Sequence, residues 1–404
     1  MKLIALEQAQ RIVHENVHPL ESIQVPLQAA LGCVVATDVT ATVDSPSVDA
    51  SLKDGFAVRA ADLAEVGVDG PVVLELVGTS TAGAPVQAAL EPGQTIKVTT
   101  GAPLPPQADA VVPVEQVEED KGGIKFTHPV PSGRDVLPTG SDVAQNQLVA
   151  TIGDRVTPGL LGLLAAAGHS RLSVIRPPQV AILSTGDEVV APGSPLPDGK
   201  LYASNLTTLE AWCRKLGFGT KCLIVGDSAA ETTQSIQRII GWADAVLTSG
   251  GAWKSERDVV AGALESLKWQ QLFPGVRLRP GKGSGFGLLA RKPVFMLPGG
   301  PSANLTAFLQ LALPGLMQMA GCRQKGLPEV MAELKSEIKS RHVDWSQFVY
   351  GKLKSHDNGY RFEPLHISSR LQSMAKADAC ALVPEGEMNL SAGSYICVQM
   401  LSLS

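Results

Sequence analysis

Five carboxylates in this chain stand beside a glycine, a turn or the start of a helix: Asp54, Asp142, Glu188, Asp227 and Asp258. A hard cation such as Mg²⁺ binds one or two such groups together with phosphate oxygens of a substrate. Taken singly, each reads first as a solvated surface acid or a helix cap, and Asp227 and Asp258 sit where a cap belongs. Asp54 is the most telling, because Asp54-Gly55 ends a polar run and opens into Phe56-Ala57-Val58. An Asp-Gly pair there reads as a turn feeding a strand, which fixes the carboxylate in space. Three further loops combine glycine with small polar residues: Leu183-Ser184-Thr185-Gly186-Asp187-Glu188, Leu247-Thr248-Ser249-Gly250-Gly251 and Leu297-Pro298-Gly299-Gly300-Pro301-Ser302. Glycines let the backbone approach a ligand, and N–H groups at the start of a helix favour an anion such as phosphate. Cations follow in Arg277-Leu278-Arg279-Pro280-Gly281-Lys282-Gly283. Alternation puts both arginine heads on one face of a strand and Lys282 in the turn, a set suited either to clamping an oxyanion or to a solvated hairpin. Thr99-Thr100-Gly101-Ala102-Pro103 offers a hydroxyl to a ligand, or is a proline-shaped turn.

These loops need elements to hold them. Residues 1–35 read as helical, running through ESIQVPLQAALGCVVA into a strand. From about 44 to 144 short β-type runs (PVVLELVG, QTIKVTT, DAVVPVEQV) are broken by Gly and Pro, the pattern of a β-rich domain. A helix is expected from about Pro158 to Ala167. Between about 177 and 320, strands alternate with helices. Val180-Ala181-Ile182-Leu183, KCLIVGD, Ala245-Val246-Leu247 and Val294-Phe295-Met296-Leu297 are the strands. Helices follow after a Ser204-Asn205 cap, from Glu231 to Trp242, from Asp258 to Lys268 and from Ser302. Such alternation argues for a parallel sheet covered by helices, whose ligand loops gather at the carboxyl edge of the strands. After about 327 the β-type pattern returns.

Composition narrows the function. The 404 residues exceed one hydrophobic core and call for two to four domains. A net charge of −5 and 4% aromatic residues disfavour a nucleic-acid surface. The six cysteines form no Cys-x-x-Cys pair, as expected of reduced thiols and against a structural zinc site. The N-terminal apolar run is too short for a signal peptide, and the longest run, Gly159 to Gly168, is roughly half a membrane span. A soluble, cytoplasmic protein is expected, with no membrane partner.

In order along the chain, SLKDGFAVRAAD, TTGAPLPPQADAVVPVE, ILSTGDEVVAPG, LTSGG with Asp258 after it, RPGKG and LPGGPSAN resemble the motifs of the molybdopterin molybdenumtransferases, the family of bacterial MoeA and the gephyrin E domain. The likeness spans nearly the whole chain, and SSRLQSM at 368–374 is similar to the gephyrin-type branch. The resemblance implies a multidomain α/β plus β protein: a linking domain of 1–43 plus 145–176, with an N-terminal helix able to pack on the α/β domain; a β-rich domain of 44–144; an α/β domain of 177–326 similar to molybdopterin adenylyltransferase; and a small barrel-like β domain of 327–404. It implies a homodimer whose site lies between the α/β domain and the partner's β-rich domain. The implied reaction inserts molybdate into adenylylated molybdopterin with Mg²⁺ and releases AMP, and molybdopterin adenylyltransferase is an implied partner. Asp54, Glu188 and Asp258 match family acids proposed for catalysis, the last two as metal ligands. Asp142, Asp227, Thr100, Ser184, Thr185, Gly186, Ser249, Gly250, Gly251, Pro298, Gly299, Pro301 and Ser302 fall in the matching substrate loops. Arg279 and Lys282 match two basic positions, and Ser369 a serine near the molybdate site.

The chain departs from the family pattern at Ala252-Trp253-Lys254-Ser255, where Val-Ser-x-Gly is usual. It departs again at Gly300, where the family has Asn, at Lys53, where it has Met, and at Tyr350, where it often has Arg. A non-catalytic pterin- or oxyanion-binding paralogue and a tungstate-preferring insertase remain open alternatives.

Overall fold

The computed structural model describes residues 3–67, 70–84, 88–120, 122–250, 259–356, 359–366 and 370–401. Its central element is a six-stranded sheet in the order Gly219–Val225, Gln179–Thr185, Ala245–Ser249, Lys292–Leu297, Gly285–Leu289, Gln270–Phe273. The first four strands run parallel, as the alternating pattern requires. The last two are antiparallel and extend the sheet beyond the expected set. The hairpin that joins Gly285–Leu289 to Lys292–Leu297 turns on Ala290 and Arg291, both at positive φ (49° and 64°). Positive φ at two central residues is the geometry of a tight hairpin. Ala-Arg carries none of the Asn-Gly signal that would announce it.

Successive side chains of a strand point to opposite faces. Val180 and Ile182 accordingly enter one core with Leu209, Phe308 and Leu313, while Ala181 and Leu183 enter another with Ile236 and Val260. Helices Ser204–Lys215 and Ala229–Ile240 supply these layers, with the third described over Val259–Ser266. Helix Pro301–Ala307 continues through a π-helical turn at Phe308–Ala312 into Leu313–Met319.

The expectation of helix over residues 1–35 is corrected. Among the described residues of this span only Leu6–Asn16 is α-helical, with Leu6, Ala9 and Val13 buried in the α/β core, and Leu27–Ala29 adds a single 3-10 turn. Ser22–Pro26 is a strand that pairs with Arg171–Ile175, which in turn pairs with Val34–Val35. Pro19 and Pro26 interrupt a helix there, and Ile23 and Val25 alternate with exposed residues as a strand face does.

The β-rich segment forms a second six-stranded sheet that includes Gly55–Val58, Gln94–Val98 and Ala110–Pro113. Near the C-terminus, Ser346–His356, Gly359–Pro364, Glu329–Leu334, Tyr395–Met400 and Ala379–Val383 pair in that order. Ala379–Val383 also pairs with Ser346–His356, so the five strands close into a barrel. The barrel shares a core with the α/β unit. Tyr350 is 1% exposed, and its hydroxyl lies 2.8 Å from the Thr306 hydroxyl. Burial holds the Tyr350 phenol far above its ordinary pKa, so it stays neutral. Tyr350→Phe should cost about 1 kcal/mol, read as a lower urea midpoint, because Thr306 loses its buried partner.

Candidate active site

The carboxyl ends of strands Gln179–Thr185 and Ala245–Ser249 open into a cavity of about 580 Å³. Seven of the expected residues line it: Ser184, Thr185, Glu188, Ser249, Gly250, Gly299 and Pro301. Asn205, Tyr202 and, from the barrel end of the chain, Leu371 line it as well. Gly186 adopts φ +139°, and a Cβ there would lie 2.5 Å from Glu188 Oε2. Glycine is therefore what allows the Glu188 carboxylate to fold back over its own turn. Ser302 is buried in the first turn of the following helix.

Ser204-Asn205 was expected to cap its helix, but that helix begins without a side-chain cap. The Asn205 amide nitrogen instead donates to Ser249 Oγ (3.1 Å) and to the Gly299 carbonyl (2.7 Å). Asn304 makes the matching pair from the other side, to Ser249 Oγ (3.1 Å) and to the Pro298 carbonyl (2.9 Å). Asp227 is not a cap either. Ser228 Oγ accepts from the Glu231 N–H at 3.3 Å, and the Asp227 N–H donates to Asp187 Oδ1 at 2.9 Å. Asp187 thus ties two neighbouring loops of the edge together. Asn304 and Asp187 were not anticipated; that both fall within the quoted motifs was the available signal.

Asp54 sits on the turn before Gly55–Val58, its side chain in solvent. Its Oδ1 accepts from the Thr100 N–H (2.6 Å) and the Thr100 hydroxyl (3.0 Å). These two bonds hold its pKa below the usual carboxylate range. A Cβ on Gly55 would lie 2.2 Å from the Val112 carbonyl oxygen, so only glycine lets the turn approach the adjacent strand. Both Asp54 and Thr100 were expected site residues; their direct pairing was not.

The two arginines do not form one clamp. Arg277 donates to the Asp344 carbonyl (2.9 Å) and to Glu385 Oε2 (2.9 Å), which fastens the α/β unit to the barrel. The strand there is only Leu278–Arg279, paired with Ser346–Gln347 of the barrel. Arg279 is half-buried. Lys282 Nζ lies 5.8 Å from the centre of the Trp345 ring. Asp142 is exposed on a loop where its N–H donates to the Ser45 carbonyl at 2.9 Å. Gly251, Asp258 and Ser369 lie outside the described residues. Among the described residues no three His, Cys, Asp or Glu side chains converge as a metal cage, and no helix is long and apolar enough to cross a membrane.

The chain matches, in order, the MoeA N-terminal region (domain I and II) over residues 4–168, a probable molybdopterin binding domain over 181–318, and the MoeA C-terminal region (domain IV) over 332–401. It is 30% identical to molybdopterin molybdenumtransferase 2 of Mycobacterium tuberculosis, over 97% of this chain and 98% of that protein. The chain belongs to the molybdopterin molybdenumtransferase family. A second member, the molybdopterin molybdenumtransferase of a Nostoc species, is 32% identical over 94% of this chain and 88% of that one. The solved molybdopterin biosynthesis MoeA protein of Pyrococcus horikosii superposes with a TM-score of 0.85 at 31% identity, over 99% of this chain and 100% of that one. The cavity at the strand edge falls almost wholly within the span matched as a molybdopterin binding domain.

Proposed function

We infer that the protein is a molybdopterin molybdenumtransferase, an enzyme of molybdenum cofactor biosynthesis that inserts molybdate into molybdopterin. The observation that carries this reading is the full-length family match with its cavity at the carboxyl edge of the parallel strands. The substrate in the finer reading is adenylylated molybdopterin, and molybdopterin adenylyltransferase delivers it. AMP and the molybdenum cofactor are the products. The chain works in the cytoplasm as a four-domain subunit of a homodimer. Among the described residues, none that lines the cavity comes from the β-rich segment, and in this reading the partner's β-rich domain brings Asp54 to it.

Glu188, a carboxylate that lines the cavity, is a donor of the kind Mg²⁺ takes. Mg²⁺ asks for only one or two carboxylates and completes its shell with phosphate oxygens and water. Glu188 and Asp258 would hold it, and the bound ion would neutralise charge on the pyrophosphate. Asp54, ionised and fixed by Thr100, takes a proton from the water that attacks phosphorus as the pyrophosphate P–O bond breaks. Arg279 and Lys282 hold anionic oxygens of the substrate, with Ser369 beside the molybdate.

The test is a single-turnover assay of purified protein with adenylylated molybdopterin, molybdate and Mg²⁺. It follows AMP release and the activation of a cofactor-free molybdoenzyme. AMP and active cofactor are expected together. Cofactor formation without AMP would overturn the adenylylated substrate, and neither product with any divalent metal would overturn the enzyme.

A further inference from the structure

Ser249 is 3% exposed and accepts two hydrogen bonds, from the Asn205 and Asn304 amide nitrogens. The orientation of each amide is forced. A backbone carbonyl can only accept, so the group facing the Gly299 carbonyl and the group facing the Pro298 carbonyl must each be NH₂. The second hydrogen of each NH₂ points to Ser249 Oγ. A hydroxyl has two acceptor sites and one donor. Both acceptor sites of Ser249 are filled, which leaves it only the role of donor. Among the described residues, nothing accepts its proton, and Ser249 lines the cavity. Ser184 and Thr185, 4% and 6% exposed, line the same cavity, and their hydroxyls have no acceptor among the described residues.

We propose that Asn205 and Asn304 are positioning residues that lock Ser249 as an obligate hydrogen-bond donor to a phosphate oxygen of the ligand. Three hydroxyls facing one cavity without acceptors favour an acceptor-rich, tetrahedral oxyanion. The identity of that oxyanion as a substrate phosphate rests on the molybdenumtransferase reading; the polarity of Ser249 does not. Asp at either asparagine position would reverse the arrangement, because a carboxylate would take the Ser249 proton for itself.

The test is calorimetric titration of the full-length protein with inorganic pyrophosphate, and in parallel with molybdate. Thermal melting confirms that each variant is folded. Ser249→Ala should weaken pyrophosphate binding about 10-fold or more, as expected for a lost hydrogen bond to a charged group, and Ser249→Thr should restore most of it. Asn304→Asp should weaken it at least as much, and its further effect in the Ser249→Ala background should be smaller than its effect alone, because part of its action passes through Ser249. If Asn304→Asp does not fold, Asn205→Asp carries the same cycle. Unchanged binding in Ser249→Ala, additive losses, or binding of molybdate but not pyrophosphate would each overturn the proposal. The full pattern in a protein that transfers no molybdenum would leave it standing and overturn the function instead.

Discussion

Asp54→Asn is expected to lower AMP release by about 10²-fold or more, with substrate binding nearly unchanged. Asn keeps an oxygen where Oδ1 accepts the Thr100 N–H and hydroxyl, so the turn retains its geometry. It cannot take a proton, and that alone is what general-base catalysis requires. The same pair sets the pH dependence. Thr100 lowers the Asp54 pKa, so the ionised form persists above that lowered value and is lost only as pH falls through it. The acid limb of turnover assigned to this group should lie below the ordinary aspartate value of about 3.9. Thr100→Val removes the hydroxyl bond, keeps the N–H, and should move that limb upward. Near-normal single-turnover AMP release by Asp54→Asn would remove Asp54 from the catalytic set.

How much of this could be read from sequence differs between fold and site. The parallel strands were legible because Val180-Ala181-Ile182-Leu183 and Ala245-Val246-Leu247 are continuous apolar runs, the mark of strands buried on both faces. The antiparallel strand Gly285–Leu289 was not, because the hairpin that joins it to Lys292–Leu297 turns through positive φ at Ala290-Arg291 without glycine or asparagine. The cavity was legible as loops: any one of them reads first as an ordinary strand-to-helix turn, but three after buried strands gather at one edge of a parallel sheet. The asparagines that order Ser249 were not, because their contacts cross 44 and 55 residues of chain. Asn205 follows a serine at a helix start, where local chemistry favours a cap, and tertiary contact overrides that preference. Asn304 has a subtler history. The resemblance places Asn at position 300, this chain has Gly300, and Asn304 stands one helical turn later. From there its amide reaches the Pro298 carbonyl of the same loop. Only the fold shows that a carboxamide is still present at this edge.

The second large effect belongs to stability, at the opposite end of the same strands. Asp244 immediately precedes Ala245–Ser249, so it lies at the amino edge of the sheet, about 16 Å of strand away from Ser249. Its carboxylate accepts two bonds from Arg176 (2.7 and 2.8 Å) and one from the Gln179 N–H (2.8 Å). It thereby joins the strand ending at Ile175 to the strand Gln179–Thr185 of the α/β sheet. Asp244→Ala should destabilise the protein by about 2–3 kcal/mol, because a partly buried guanidinium and a backbone N–H both lose their partner. Glu21, 2.5 Å from Arg176 Nε, limits the loss by keeping one partner in place. Burial alone would raise the Asp244 pKa, but Arg176 and the Gln179 N–H together bring it below the usual value. A carboxylate whose folded pKa is depressed contributes in full above its unfolded pKa and loses that contribution as pH falls through the folded value. The gap in urea midpoint between the native protein and Asp244→Ala should therefore be widest at neutral pH and narrow below about pH 4. Single-turnover AMP release by the folded variant at low temperature should match the native protein, since ligands bind at the other edge of the sheet. A variant as stable as the native chain at pH 7 would show that Glu21 alone satisfies Arg176 and that the Asp244 pair contributes nothing.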